Sequence, residues 1–196
     1  RLTSTMLETA LIRGLTEAGM SVCRVGLGPT PMLYFAIHHL EADGGVMVTG
    51  SHNPPDFNGF KMVLGKAPFF GEEIRDLGRL AEAGAWATGT GEVGDEDVEA
   101  AYLDVLLRAY TTDRPMRVVW DCGHGAAGDI VTELTARLPG RHQVLYGRID
   151  GTFPAHHPDP TVAENLADLI EAVLASGADL GLAFDGDGDR IGVVDE

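Results

Sequence analysis

Lysine is nearly absent. The chain holds only Lys61 and Lys66, the other basic residues are arginines, and 14 basic residues face 30 acidic ones for a net charge of −16. So acidic a chain is repelled by phosphate backbones and anionic lipid alike, so neither nucleic acid nor membrane is expected as a partner. Cysteine is as scarce: Cys23 and Cys122 sit in the strand-like runs SVCRVG and VVWDCG. They make no disulfide framework and suit buried free thiols in a reducing, cytoplasmic compartment. No apolar run approaches the roughly 20 residues needed to cross a bilayer, and no leader is expected. Arg1 runs straight into a helical pattern and IGVVDE ends within a strand pattern, as in a piece of a longer protein.

What is present is 44% hydrophobic and 22% charged over 196 residues, enough for a core in one domain or two small ones. Helix and strand signals alternate throughout. TSTMLETALIRGLTEAG puts Leu7, Leu11, Leu15 and Ala18 on one helical face, with Thr5 and Glu8 at capping-box spacing. A strand (MSVCRVG), a proline-initiated helix (PTPMLYFAIHHLEADGG), two strands (GVMVTG, GFKMVLG) and two helices (GEEIRDLGRLAEAG, DEDVEAAYLDVLLRAY) follow. The second half repeats the theme, from RVVWDC to the closing strands DLGLAF and RIGVVDE. Such alternation predicts an α/β fold of two layered domains with mixed, largely parallel sheets. The glycine-rich stretch GAWATGTGEVGDED marks the boundary, which places the domains at residues 1–97 and 98–196.

FDGDGDR carries the densest charge. Asp185, Asp187 and Asp189 alternate with glycines between two apolar strands, beyond a carboxyl strand end where open α/β sheets gather ligands. Alternation brings the three side chains to one side, and three hard oxygen donors suit a hard divalent cation, Mg²⁺ above all. An EF-hand reading places Asp185, Asp187, Asp189 and Glu196 at loop positions 1, 3, 5 and 12. It fails on Arg190, which stands where the loop needs glycine, and on the strands that replace its helices. Arg190 is suited to neutralising a carboxylate or gripping phosphate. A metal-binding module without catalysis, marked by preference for Ca²⁺, remains open at this level.

TGSHNPPDFNGFK is the second constellation. Ser51 follows a buried strand, beside His52, on a loop stiffened by Asn53-Pro54-Pro55 and within reach of Lys61. No nucleophile elbow surrounds Ser51, which leaves two readings: a serine carrying a phosphoryl group, or an ordinary turn. For the first, the aspartates supply a cation site, His52 or Lys61 the proton transfer, and Lys61 a phosphate clamp. Gly123, Gly125 and Gly128 fall in dinucleotide-loop spacing after a strand, with Asp150 at the distance of a ribose contact. The competing account is a glycine-rich strand-to-helix turn. FPAHHPDP sets His156 and His157 among prolines, as expected of a structural or interdomain loop, and His38 and His39 close a helix without requiring a role.

With these segments together, the sequence resembles the α-D-phosphohexomutase family, in its bacterial phosphomannomutase/phosphoglucomutase branch. TGSHNPPDFNGFK is similar to its phosphoserine loop and DGDGDR to its metal loop; DCGHGAAG and DGTFPAHHPDP are similar to further family segments. The resemblance implies the first two of four domains. It implies Ser51 as phosphoryl carrier and Mg²⁺ held by Asp185, Asp187, Asp189 and a phosphate oxygen on Ser51. His52 and Lys61 would be acid/base candidates, and Arg190, Lys61 and Asn53 would bind phosphate or substrate. The implied activity interconverts hexose 1- and 6-phosphates of mannose or glucose through a sugar 1,6-bisphosphate, with phosphoglucosamine mutase as the neighbouring alternative. The family's N-terminal arginine segment, sugar-recognition loop and last phosphate loop are absent from the chain, so slow turnover and some self-association are expected.

Overall fold

The computed structural model describes residues 1–112 and 114–195; Glu196, the twelfth position of the discarded EF-hand register, lies outside them. The first unit runs α1 (Ser4–Glu17), β1 (Val22–Arg24), α2 (Thr30–His39), β2 (Gly44–Val48), β3 (Phe60–Leu64), β4 (Ala67–Phe69), α3 (Glu72–Glu82) and β5 (Val93–Asp95). α4 (Glu99–Ala109) leads to β6 (Met116–Asp121), α5 (Gly128–Thr135), β7 (Gly140–Leu145), α6 (Ala167–Ser176), β8 (Leu180–Phe184) and β9 (Ile191–Val194). None of the described helices is long and apolar enough to cross a membrane.

Parallel pairing is less dominant than expected. Strands β7, β6 and β8 are parallel neighbours, and β9 returns antiparallel on β8 with Phe184 opposite Ile191. In the first unit only β1 and β5 pair in parallel, while β2, β3 and β4 form an antiparallel meander with Met47 opposite Lys61. The short GSHNPPDFNG connection explains the difference, because parallel neighbours need a long crossover. β4 and β5 were not anticipated. β5 lies in the stretch whose glycines signal only a connection, and its three residues are all exposed.

Helices cover both faces of the second sheet. Leu169 and Val173 of α6 pack with Val119, Ala178 and Ala183 on one side; Ala127 and Val131 join Cys122 in a second cluster, against Trp120 and Phe184. A further cluster unites the two units: Met32 and Ala36 of α2, Tyr102 and Leu103 of α4, and Ile130 of α5. Burial of this shared apolar surface holds the edge of one unit against the other.

Two local expectations need correction. α1 begins at Ser4 with Thr3 at the N-cap position and no side-chain cap, so Thr5 lies inside the helix and Glu8 bonds Arg24 at 3.0 Å instead. Cys122 is buried as expected, and burial pushes its thiol up to about 12, but Cys23 is exposed on its short edge strand.

Candidate active site

Two loops meet where the units join. Residues 185–190 link β8 to β9, and residues 49–59 link β2 to β3. They touch through backbone: a Cβ on Gly186 would stand 2.4 Å from the Ser51 carbonyl oxygen, so only glycine permits this approach. Gly188 has φ +68° and passes between Pro29 and Ala127, at the starts of α2 and α5.

The aspartates converge. One oxygen from each of Asp185, Asp187 and Asp189 lies within 4.8 Å of the other two, and Asp185 and Asp187 are buried. Asp185 Oδ1 accepts from the backbone N–H groups of Asp189 (3.0 Å) and Arg190 (3.1 Å). Asp187 Oδ2 accepts from Thr30 (2.7 Å), Thr49 (3.0 Å) and Lys61 Nζ (2.7 Å); Lys61 also bonds Asp189 at 2.5 Å. Like charges about 4 Å apart repel by about 4 kcal/mol at an effective dielectric near 20, too much to leave uncompensated. One ammonium against three carboxylates leaves a surplus of negative charge. Asp187 Oδ1 is buried without a hydrogen-bond partner among the described residues. An orphaned carboxylate oxygen beside two further hard donors fits a divalent cation.

Burial raises the Asp185 carboxyl above its usual range, against the Ser51 hydrogen bond, and the Asp187 charge adds to the rise. Burial acts upward on Asp187 too, but hydrogen bonds from Lys61 and Thr30 outweigh it and hold that carboxyl low. For Lys61, burial acts downward, yet the bonds to Asp187 and Asp189 prevail and its ammonium is favoured.

Ser51 faces this cluster. Its Oγ donates to Asp185 Oδ2 at 2.7 Å, and it is 9% exposed. Its φ of +47° is uncommon for a residue with a side chain. The backbone is held there by Ser51 N–H donating to Thr49 Oγ1 at 2.9 Å and by the Arg1 guanidinium donating to the Ser51 and Pro54 carbonyls. His52 Nδ1 is 3.4 Å from Ser51 Oγ and accepts from Arg190 Nη1 at 2.5 Å. The structure thus brings together Ser51, His52, Lys61, Arg190 and the three aspartates. Asn53 stands apart: its side chain is exposed, and its backbone N–H closes a turn on the Gly50 carbonyl at 2.9 Å.

The dinucleotide-spaced glycines serve packing. A Cβ on Gly125 would stand 2.9 Å from the Gly186 carbonyl oxygen, and one on Gly128 would stand 1.9 Å from that of Gly147. The N–H groups of Gly125, Ala126 and Gly128 donate to the Cys122, Gly186 and Gly125 carbonyls, so none is free for a pyrophosphate. Asp150 is spent on Thr152 N–H and Oγ1. Sequence reading missed Arg1, Thr30 and Thr49. Thr49, two residues before Ser51, was findable as a turn hydroxyl; Arg1 and Thr30 reach the site only through the tertiary fold.

Fold and site together define a two-unit α/β protein with a carboxylate cluster suited to a cation set against a serine loop. Family models agree: "Phosphoglucomutase/phosphomannomutase, alpha/beta/alpha domain I" matches residues 1–84 and the corresponding domain II matches residues 100–196. A phosphomannomutase/phosphoglucomutase of Pseudomonas aeruginosa is 48% identical over 99% of this chain and 42% of its own length. A phosphoglucomutase of Neisseria gonorrhoeae is 44% identical over 99% of this chain and 43% of its own length. A phosphoglucomutase/phosphomannomutase family crystal structure from Burkholderia thailandensis superposes with a TM-score of 0.94 at 42% identity, over all of this chain and 44% of that one. The chain belongs to the phosphoglucomutase/phosphomannomutase family, and it spans less than half the length of these relatives.

Proposed function

We propose that the chain carries the phosphoserine and metal portion of a phosphohexomutase that interconverts hexose 1- and 6-phosphates, of mannose or glucose as its relatives' names indicate. The observation that carries this reading is the 2.7 Å bond from Ser51 Oγ to buried Asp185, within a carboxylate cluster that retains an orphaned oxygen. Ser51 accepts and returns the phosphoryl group. Asp185, Asp187 and Asp189, with an oxygen of phosphorylated Ser51, would hold Mg²⁺. The cation, when bound, supplies charge neutralisation for a phosphoryl group that reacts through a transition state rich in negative charge.

Each neighbour has a task. His52 Nδ1, 3.4 Å from Ser51 Oγ, takes the hydroxyl proton once Arg190, which donates to that nitrogen in the structure, turns to the phosphate, and returns it when the phosphoryl group leaves. Lys61 is the second acid/base group, the proton donor on the substrate side, and clamps the incoming phosphate. Arg190 grips phosphate with its fork of donors, and Asn53, exposed at the loop tip, meets the substrate. A sugar 1,6-bisphosphate is intermediate and activator: it leaves one phosphate on Ser51 and departs as a monophosphate. Residues 1–97 form the phosphoserine domain and residues 98–196 the metal domain of a cytoplasmic enzyme.

Incubation with Mg²⁺ and glucose 1,6-bisphosphate, followed by intact-mass measurement and peptide mapping, tests the reading. One added phosphate on Ser51, absent from Asp187→Ala, is expected. Phosphate on a different residue would sink the assignment.

A further inference from the structure

The HHPDP segment does more than connect elements. Pro158 is fully buried, 3.1 and 3.4 Å from where Cβ atoms on Gly123 and Gly186 would be, so it fills space that both glycines leave. His156 sits beside it. Nε2 donates to Asp121 Oδ2 at 2.9 Å and Nδ1 donates to the His157 carbonyl at 3.0 Å. Asp121, at the end of β6, is itself fixed because its Oδ1 accepts from Gly123 N–H at 2.9 Å. The His157 backbone is therefore tied to the second sheet through a buried carboxylate.

From that anchor the His157 ring crosses to the other unit. Its Nε2 lies 2.5 Å from the His52 carbonyl oxygen, and since a carbonyl only accepts, the ring donates there. The preceding carbonyl, of Ser51, accepts from Arg1. The guanidinium of Arg1 lies 5.3 Å from the Phe153 ring centroid, in the same connecting segment. Both peptides that follow the Ser51 Cα are thus gripped from outside the loop, at the residue whose φ of +47° has to be held.

We propose that His157 is a positioning residue: anchored through His156 to Asp121, it clamps the His52 carbonyl and keeps Ser51 Oγ aimed at the aspartate cluster. Its consequence for rate rests on the phosphoryl-carrier reading of Ser51; the clamp stands on the geometry alone.

The test uses the full polypeptide with His157→Ala and with His157→Gln, whose amide keeps an N–H donor. Hydrogen exchange of the amides of residues 50–53 and 56–58 is followed alongside the rate of Ser51 phosphate loading from glucose 1,6-bisphosphate and Mg²⁺. Losing the bond in His157→Ala is expected to speed loop exchange about fivefold while β6 and β8 stay unchanged. Loading is expected to slow by about tenfold, with His157→Gln close to the unsubstituted chain in both readouts. Unchanged loop exchange in His157→Ala, or an equal rise throughout β6 and β8, overturns the clamp. If the unsubstituted chain takes no phosphate on Ser51, the carrier reading fails while the exchange comparison still decides the clamp.

Discussion

His156 has acceptors on both ring nitrogens, Asp121 on one side and a carbonyl on the other, so the structure holds it as an imidazolium. The Asp121 hydrogen bond raises its pKa above the usual 6.5, outweighing the opposing effect of burial. A folded-state pKa above the unfolded one gives stability that is complete below about pH 6.5 and is lost as pH rises through the raised value. Denaturation midpoints of the unsubstituted chain should therefore fall above that pH, whereas His156→Gln should give a flatter profile; parallel profiles would contradict the pair. His156→Leu, which strands the buried Asp121 carboxylate, should cost roughly 3–5 kcal/mol. At this scale the sequence spoke clearly where chemistry is local. Three aspartates two residues apart can be read as a ligand set, and a serine between a strand and a proline turn as a held side chain. Arg1, Thr30 and the Asp121 partner of His156 carry no such signal, because each acts across 35 residues or more.

Elements were legible in proportion to their burial. β6 and β8 alternate or repeat apolar residues because helices cover both faces, and α6 ends at Gly177 in the left-handed conformation its glycine promised. β4 and β5, three residues each and little buried, leave no pattern to find. The α6–β8 contact offers a quantitative check. Leu169 is fully buried, and Leu169→Ala should destabilise by about 2–5 kcal/mol through the cavity it leaves. A Cβ on Gly181 would stand 2.7 Å from Leu169 Cδ1, so Gly181→Ala alone should overpack the contact by about 1–3 kcal/mol. Combined, the new methyl leans into the space Leu169 vacates and away from Val173 Cγ2, which it would otherwise meet at 2.8 Å, so the double variant should lose less than the sum of the two. Urea denaturation of the four chains measures this, and strict additivity would contradict the packing.

For the whole molecule, the junction of the two units decides the chemistry. Ser51 and Lys61 come from the first unit and the aspartates from the second, and the core shared by α2, α4 and α5 brings the units together. No reading of either half alone shows that the serine loop lies against the carboxylates; a phosphoserine's need for a cation suggested the pairing, the family resemblance sharpened it, and the 2.7 Å contact gives it a geometry. The most direct test of a single shared site is Mg²⁺ affinity, measured by calorimetry on the chain before and after phosphate is placed on Ser51. A phosphate oxygen that joins Asp185, Asp187 and Asp189 as a ligand should tighten binding about tenfold or more, worth about 1.4 kcal/mol, and Ser51→Ala treated in the same way should not change. Equal affinity with and without phosphate on Ser51 would mean that the two loops do not share a cation, and the account would fail.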